Sequence, residues 1–516
     1  MSTSSINSLL NTLNPSNESV AELLGESNTT NTTANNQSTD AAVLDAVDAI
    51  LNSATNTSGS GIDVTSTVDA ILELDAEPEE NLQNQVTTLN SQTSALQTIE
   101  TDLTNLQTAV QALSDPMGAF SDVTVNSSNN DVVSATAANG TAAASHTIVV
   151  NSLATTSAAY SAPQTSATSA LPTGSLTIYV GSNSANAVTI PVDNNPGDPD
   201  TLSALASYIN QQNMGVTASV INEGSSAILS LVSQTSGSAG TLHITDTTGG
   251  GNGLGIQMAQ SSPGHDLGTD ASLTVDGVPV TSGSNTVTGV IPGVTLTLSG
   301  TSSDPVTLDV QPDLTQVSTG INNFVSAWNQ LMDDINAQNT YSGTGTAPPL
   351  MGDPSLDLLQ SQLLNDITTS LSGNGAAVNL QSIGIQLQED GTLSVASSSS
   401  PDSMDLNDAL ANDFPAVQNL FQSTSPAGVA QTLNNDLTNL TDSVNGPLNL
   451  DMSSISTQES SLNDQISEFQ YQLQQTQAQL TTEYSTINTT LEQLPETINE
   501  VNQQLNALNP TSNTTT

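Results

Sequence analysis

Two seven-residue apolar repeats, one toward each end of the chain, constrain the fold more than any other feature. Leu82, Leu89, Leu96, Leu103 and Val110 recur at heptad spacing, and Ile99, Leu106 and Leu113 form a second line beside them. Two further seam positions are polar, Gln85 and Gln92. Toward the other end, Ile466, Leu473, Leu480, Ile487, Leu494, Val501 and Leu508 keep the same period. A stripe this narrow is not stable on a lone helix and requires a partner helix to remove it from water. The simplest arrangement pairs the two ends with each other and carries everything between them as an insertion. Polar seam residues weaken such a coil but fix its register.

Between the repeats the period changes twice. Segments such as HTIVVNSL, GSLTIYV, GVTASVI, AILSLVS, ASLTVDGVPV and GVTLTLSG alternate β-branched with polar residues and are separated by Gly, Asn, Asp and Pro. They predict short antiparallel strands. A helix containing Leu202, Leu205, Ala206 and Ile209 interrupts them, started by Pro199 and Asp200 and stopped at Asn213-Met-Gly. From Asp313 the period returns to 3.6. Leu314, Val317, Ile321, Phe324, Val325, Trp328, Leu331, Met332 and Ile335 make one broad apolar face, the strongest core signal in the chain. Further helices are predicted at 354–371, 402–412, 414–422 and 427–444, and a kink or break at Pro495.

The expected fold class is therefore α+β and multidomain, with antiparallel β-rich head domains inserted between helical leg segments and terminal coiled-coil helices. Residues 1–59 read as a disordered leader with apolar stretches at 6–13 and 42–51, and 60–118 as the N-terminal stalk and start of the leg. Residues 119–165 and 268–312 read as one β-rich head domain, and 166–267 as a second, inserted one. The leg follows at 313–450, the C-terminal stalk at 451–509 and a disordered tail at 510–516.

Charge narrows the function. The chain has no Lys, no Arg and no Cys, and its formal net charge at neutral pH is −50. Nucleic acid and anionic membrane surfaces repel such a protein. Schiff-base, thiolate and arginine-fork chemistry have no residues to use. No run approaches the roughly 20 apolar residues of a membrane span, and residues 1–30 carry no cleavable-signal pattern. An acid-only chain repels itself when ionised, which predicts firmer assembly near pH 3–4 than at neutrality in an acidic exterior. The alternative reason for such a composition is resistance to proteases that cut after Lys or Arg.

The remaining chemical motifs read better as structure than as sites. Residues 193–200, DNNPGDPD, are rich in oxygen ligands but lack the EF-hand spacing, and Asn-Pro and Gly are turn residues. His265-Asp266 has no nucleophile beside it and follows Pro-Gly. His146 and His243 lie on strand patterns. Residues 250–255, GGNGLG, lack the βαβ context of a nucleotide loop, and Glu389-Asp390-Gly391 reads as a hairpin turn. No catalytic residue, metal ligand or cofactor site is expected.

The order of segments resembles the bacterial flagellar filament cap family, also called flagellar hook-associated protein 2. SGIDVTSTVDAIL at 60–72 and the coil after it are similar to that family's N-terminal region. Residues 201–244 resemble the small motif inserted in flagellins and hook-associated proteins, and residues 271–298 the start of the family's C-terminal region. LQSIGIQLQEDGTLSV with DFPAVQNLF resembles its late leg segment. The family's coils are normally rich in Lys and Arg, where this chain has Gln, Asn and Thr, and the leader is longer than the family's. The resemblance implies a secreted, non-enzymatic assembly factor at the distal tip of the flagellum, a homo-oligomer of about five copies. It implies flagellin, hook-associated junction proteins and a cytoplasmic export chaperone as partners, without nucleic acid or membrane insertion. A surface adhesin, or another hook-associated or flagellin-like structural subunit, is the alternative.

Overall fold

The computed structural model describes residues 63–258, 267–341, 343, 345–396 and 405–508. The expected leader and tail, and His265-Asp266, lie outside these residues. The chain forms two units, one closing at Leu96 and resuming at Leu450, the other running Gln97–Asn449. The fold is mixed helix and small antiparallel sheets with helices at both ends, as the periodicities predict.

The first unit is helical. α1 (Val64–Asp75) starts at Asp63, whose carboxylate accepts the Ser66 N–H at 3.2 Å. α2 (Glu77–Ser114) begins with three acids, Glu77, Glu79 and Glu80, which suit the positive end of the helix dipole. Pro78 falls in its first turn, where a missing N–H costs nothing, so the helix starts at Glu77 and runs through it. The C-terminal helix, called α8 in chain order, is Pro447–Leu508 and runs 62 residues. It passes through Pro495 as one helix, against the expected break. Proline removes one bond to the carbonyl four residues back, and here that residue, Leu491, is 36% exposed, so water can take the bond's place.

The second unit holds two β domains and the leg. One head domain pairs a five-stranded sheet, order β1-β15-β3-β11-β12, with a three-stranded one, β13-β14-β2. Their strands are β1 (Val123–Ser127), β2 (Val133–Ala137), β3 (Ala144–Ser152), β11 (Ala271–Val275), β12 (Val278–Ser282), β13 (Thr286–Thr288), β14 (Val294–Leu298) and β15 (Val306–Pro312). Alternate residues such as Val133, Ile148, Val150, Leu273, Leu296 and Leu308 fill the core between them. The β11–β12 hairpin turns on Asp276 and Gly277, both at positive φ (50° and 81°), as a two-residue turn requires.

The inserted domain contains β4 (Thr156–Tyr160), β5 (Gly174–Val180), β6 (Val188–Val192), β7 (Val216–Asn222), β8 (Ala227–Ser236), β9 (Leu242–Asp246) and β10 (Gln257–Met258). Its sheets run β10-β4-β8-β7 and β6-β5-β9 and share a core with α3 (Leu202–Gln211). Thr201, not Asp200, caps α3. The domain also begins earlier than the expected 166. β4 pairs with β8, and Ala159 is part of the inserted core. The residues β4 turns inward, Ser157 and Ala159, are too small to give a strand its usual apolar alternation, which hides its allegiance in the sequence.

The leg comprises α4 (Leu314–Asn339), α5 (Pro354–Ile367), the β16–β17 hairpin (Ile385–Leu387 and Leu393–Val395), α6 (Leu406–Gln422) and α7 (Val429–Leu440). The helices expected at 402–412 and 414–422 join across a kink at Asp413 (φ −149°, ψ 60°), just before Pro415.

Candidate assembly surfaces: stalk, leg and their buried acids

Within the first unit the stalk seam is half-buried. Leu82 and Leu89 of α2, and Ile466, Leu473 and Leu480 of α8, keep partial solvent exposure. An a/d residue in a two-helix hairpin is covered on one side only. Val86 is half-buried while Gln85 is exposed, so Gln85 is not a seam position; four residues, not three, separate the seam contacts there. Gln470 Nε2 donates to Glu79 Oε1 at 2.6 Å, linking the two helices. Ile487 is 40% exposed, as are the apolar residues after it: Leu494 and Ile498 at 51%, Val501 at 50% and Leu505 at 57%.

Within the second unit the same α2 repeat is fully enclosed. Leu96, the last residue of the first unit, is sealed, and Ile99, Leu103, Leu106, Val110 and Leu113 are each at most 1% exposed. Gln107 and Gln422 tie this stretch to the leg. Gln107 Nε2 donates to Thr438 Oγ1 at 3.3 Å, and Gln422 Nε2 donates to the Leu113 and Asp115 carbonyls at 3.0 and 2.9 Å. Gly320 of α4 sits so close that a Cβ there would lie 3.4 Å from Leu113 Cδ2 and 3.0 Å from Ala119 Cβ. Seven predicted leg residues were Leu314, Val317, Ile321, Phe324, Trp328, Leu331 and Ile335. All are buried except Leu314, which is half-buried because it opens the helix directly after its cap, Asp313.

The β16–β17 hairpin is bolted to α4 by side chains. Trp328 Nε1 donates to the Gly391 carbonyl at 2.9 Å. Asn329 exchanges two bonds with Leu393, at 2.8 and 2.6 Å, and Asn336 Nδ2 donates to the Asp390 carbonyl at 2.8 Å. Gly391 is at φ 83°, so the Glu389-Asp390-Gly391 turn forms as predicted. Phe120 joins the leg through Phe414 and Phe421, with ring centroids 6.0 and 5.6 Å away.

Two buried carboxylates are the least expected feature. Asp102 of α2 is 7% exposed and Asp366 of α5 is 4% exposed. One oxygen of each is sealed from solvent with no N–H or O–H donor among the described residues. Each faces another carboxylate instead, Asp334 of α4 and Asp436 of α7 respectively. Burial first, and the facing acid second, push Asp102 up to about 6 and Asp366 up to about 7. Each pair holds best with one shared proton. The sequence carried a signal for both: Asp102 falls between Ile99 and Leu106 on the apolar seam, and Asp366 between Leu363 and Ile367.

The other candidate residues are structural. His146 Nδ1 meets Asp276 Oδ2 at 2.7 Å, and that bond is the main cause holding Asp276 below the usual carboxylate range. His243 stacks on Tyr179, with ring centroids 4.5 Å apart. Asp193 accepts from Asn195 N and Nδ2, its carboxylate closing the 193–200 turn on itself. In the 250–255 loop the Leu254 N–H is donated to Asp246 Oδ2 and to Thr248 Oγ1, both at 2.9 Å. Among the described residues no three His, Asp or Glu side chains gather as a metal site, and no described helix is long and apolar enough to cross a membrane.

The chain was then compared with known proteins. Residues 60–157 match the flagellar hook-associated protein 2 N-terminus and residues 268–496 its C-terminus, while residues 175–235 match the flagellin hook IN motif. The B-type flagellar hook-associated protein 2 of Pseudomonas aeruginosa is 28% identical over 387 residues, 70% of this chain and 78% of that protein. The flagellar hook-associated protein 2 of Campylobacter jejuni is 35% identical over 159 residues, 28% of this chain and 23% of that protein. Among solved structures, the D1-D2-D3 domains of the flagellar cap protein FliD from Escherichia coli superpose with TM-score 0.52 at 25% identity, covering 70% of this chain and 99% of that one. N-terminal coil, inserted motif, C-terminal region and three-dimensional architecture all agree, in the same order along the chain, and the chain belongs to the flagellar hook-associated protein 2 family.

Proposed function

We propose that this protein caps the distal tip of the bacterial flagellar filament. In this reading it is exported, forms a ring of about five copies, and promotes the folding and insertion of flagellin subunits arriving beneath it. The observation that carries it is the match to flagellar hook-associated protein 2 at both ends of the chain, joined with the likeness to the FliD cap. The β domains form the plate that closes the tip, the leg opposes the emerging subunit, and the terminal helices dock into the helical lattice below. Hook-associated junction proteins are its first neighbours on the growing filament, and a cytoplasmic chaperone holds it before export. The protein acts by assembly rather than catalysis, and it contacts neither nucleic acid nor the membrane interior.

Deleting the gene tests this directly. Filament elongation is expected to stop and monomeric flagellin to appear in the medium, with both restored by the full chain. A deletion strain that still builds full-length filaments and swims overturns the reading and leaves an adhesive role at the cell surface.

A further inference from the structure

We infer that the outer edge of β16 is a binding site for an extended peptide, which adds a third strand to the β16–β17 hairpin. The peptide carries apolar side chains at alternate positions and a Lys or Arg at the end beside the hairpin turn.

The hydrogen-bond pattern fixes which backbone groups face outward. The Gln388 N–H donates to the Thr392 carbonyl at 2.8 Å, and the Ala396 N–H to the Gly384 carbonyl at 2.7 Å. The register puts Gln386 opposite Ser394, midway between those two pairs. Alternation then turns the N–H and C=O of Ile385 and Leu387 away from β17. On β17 the matching outward groups are taken, since Asn329 bonds both the N–H and the carbonyl of Leu393. Among the described residues nothing bonds the backbone of Ile385 or Leu387 on its outward side.

At other sheet edges the chain blocks this. Pro279 stands opposite Thr274 in edge strand β12, and Pro191 opposite Ser175 in edge strand β6; each lacks the N–H that would face outward. On edge strand β7 the Asn210 side chain bonds the Ala218 N–H and carbonyl, both at 2.8 Å. An edge left open is a template for another chain.

The surroundings of β16 select the peptide. Its edge borders a recess of about 330 Å³ lined by Ile367, Thr368, Leu380, Ile385, Leu387 and Leu393. Ile385, Leu387 and Leu393 share one face of the hairpin, yet Ile385 and Leu393 are 1% and 3% exposed and Leu387 is 43% exposed. An apolar residue opposite Leu387 on an added strand covers it, while the face with Gln386 and Ser394 stays in water. Glu389 and Asp390 are exposed at the turn just beyond Leu387, and the chain has no Lys or Arg to neutralise them. A cation at the N-terminal end of an antiparallel added strand lies beside them. The inference concerns what the hairpin pairs with and stands independently of the capping role.

The probe is the capped peptide Lys-Thr-Val-Thr-Leu-Thr, added to the full-length protein at low salt. Hydrogen exchange at the Ile385 and Leu387 amides, read by NMR, is expected to slow about tenfold once the peptide is about tenfold above its Kd. N-methylation of the peptide's Val and Leu removes the donors that face β16 and is expected to abolish the effect, whereas N-methylation of the Thr between them leaves it. Leu387→Pro places on β16 the device that Pro279 supplies on β12, and is expected to abolish the slowing at Ile385 with Trp328 emission unchanged. Exchanging the peptide's Lys for Glu is expected to weaken binding at least about fivefold. The inference is overturned by no slowing up to about 5 mM peptide, by slowing that survives N-methylation of Val and Leu, or by a Glu peptide that binds as well. It is equally overturned if both amides become protected when the protein alone is concentrated, which assigns the edge to a second copy.

Discussion

Replacing Asp366 with Asn should make the leg more stable at neutral pH, although it alters a buried residue. In the folded protein Asp366 is pushed up to about 7 from an ordinary 3.8 by burial and by the facing Asp436. An acid whose pKa is raised on folding binds its proton more tightly in the native state. The penalty is absent below about pH 4, where both states are protonated, and grows as pH rises toward about 7. Above that it is constant. At about 1.36 kcal/mol per unit, a shift of about three units sets a ceiling of about 4 kcal/mol. Local separation of the two carboxylates relieves part of it, so a net cost of about 1–3 kcal/mol at pH 8 is the working figure. The Asn amide fills the same volume and donates permanently to Asp436, doing the work of the shared proton.

Urea melts read the effect through Trp328, the chain's single Trp, which is fully buried in the leg and so reports the leg alone. Wild type should lose stability between pH 4 and pH 8, while Asp366→Asn should lose less and exceed wild type by about 1–3 kcal/mol at pH 8. At pH 4 the two should lie within about 1 kcal/mol. An Asp366→Asn leg that is less stable than wild type at pH 8, or that keeps the whole pH slope, refutes the paired-acid argument. Asp366→Ala is the control: it opens a cavity and leaves Asp436 facing it, so it should not rescue as Asn does.

Asp102→Asn should behave alike but earlier in pH, since Asp102 is pushed up only to about 6; the same melts locate its midpoint. Leu103→Ala, at a sealed seam position, should cost about 2–5 kcal/mol in those melts, whereas Leu473→Ala, half-buried in the stalk, should cost about 1 kcal/mol by circular dichroism. Trp328→Phe removes the bond to the Gly391 carbonyl and leaves that carbonyl buried. It should cost about 1–3 kcal/mol and loosen the hairpin at Leu393 first, as read by hydrogen exchange. Pro495→Ala should raise helix content and the melting temperature of the stalk, because the helix already passes through that position; no gain in ellipticity would mean that the helix does not.

The parts legible in the sequence were those set by periodicity. The sealed stretch of α2 from Leu96 to Leu113, the α4 core from Val317 to Ile335, and the hairpin turn at Gly391 all follow from spacing and turn chemistry, each a local property. What escaped was set by tertiary contact. β4 has only small inward residues, so its pairing with β8 leaves no mark on its own pattern. Val86 rather than Gln85 meets the partner because the phase of a seam is decided by the opposite helix. Pro495 stays helical because its face is open to water, which a breaker rule applied to one strand of sequence cannot know. Asp102 and Asp366 were marked on the apolar lines, but what they face depends on helices far away in sequence.

The acid-only composition then explains how a chain with no Lys or Arg links its helices. In most coils the flanking positions carry ion pairs, which are lost in acid when the carboxylates protonate. Here amides take the cations' place: Gln470 donates to Glu79 at 2.6 Å and Asn449 to Glu100 at 3.1 Å. An amide N–H remains a donor at every pH, and a protonated carboxyl keeps a carbonyl oxygen that accepts it. These links therefore survive acid, weakened but not abolished, while the two buried acid pairs gain their shared proton and the charge of −50 collapses. The last two effects stabilise the chain as pH falls, and they outweigh the partial weakening of the links. Stability and self-association of this chain should rise together as pH falls from 8 toward 4, the opposite of a coil held by ion pairs. Sedimentation velocity across that range measures it, and a protein that dissociates on acidification shows that charge repulsion is not what limits its assembly.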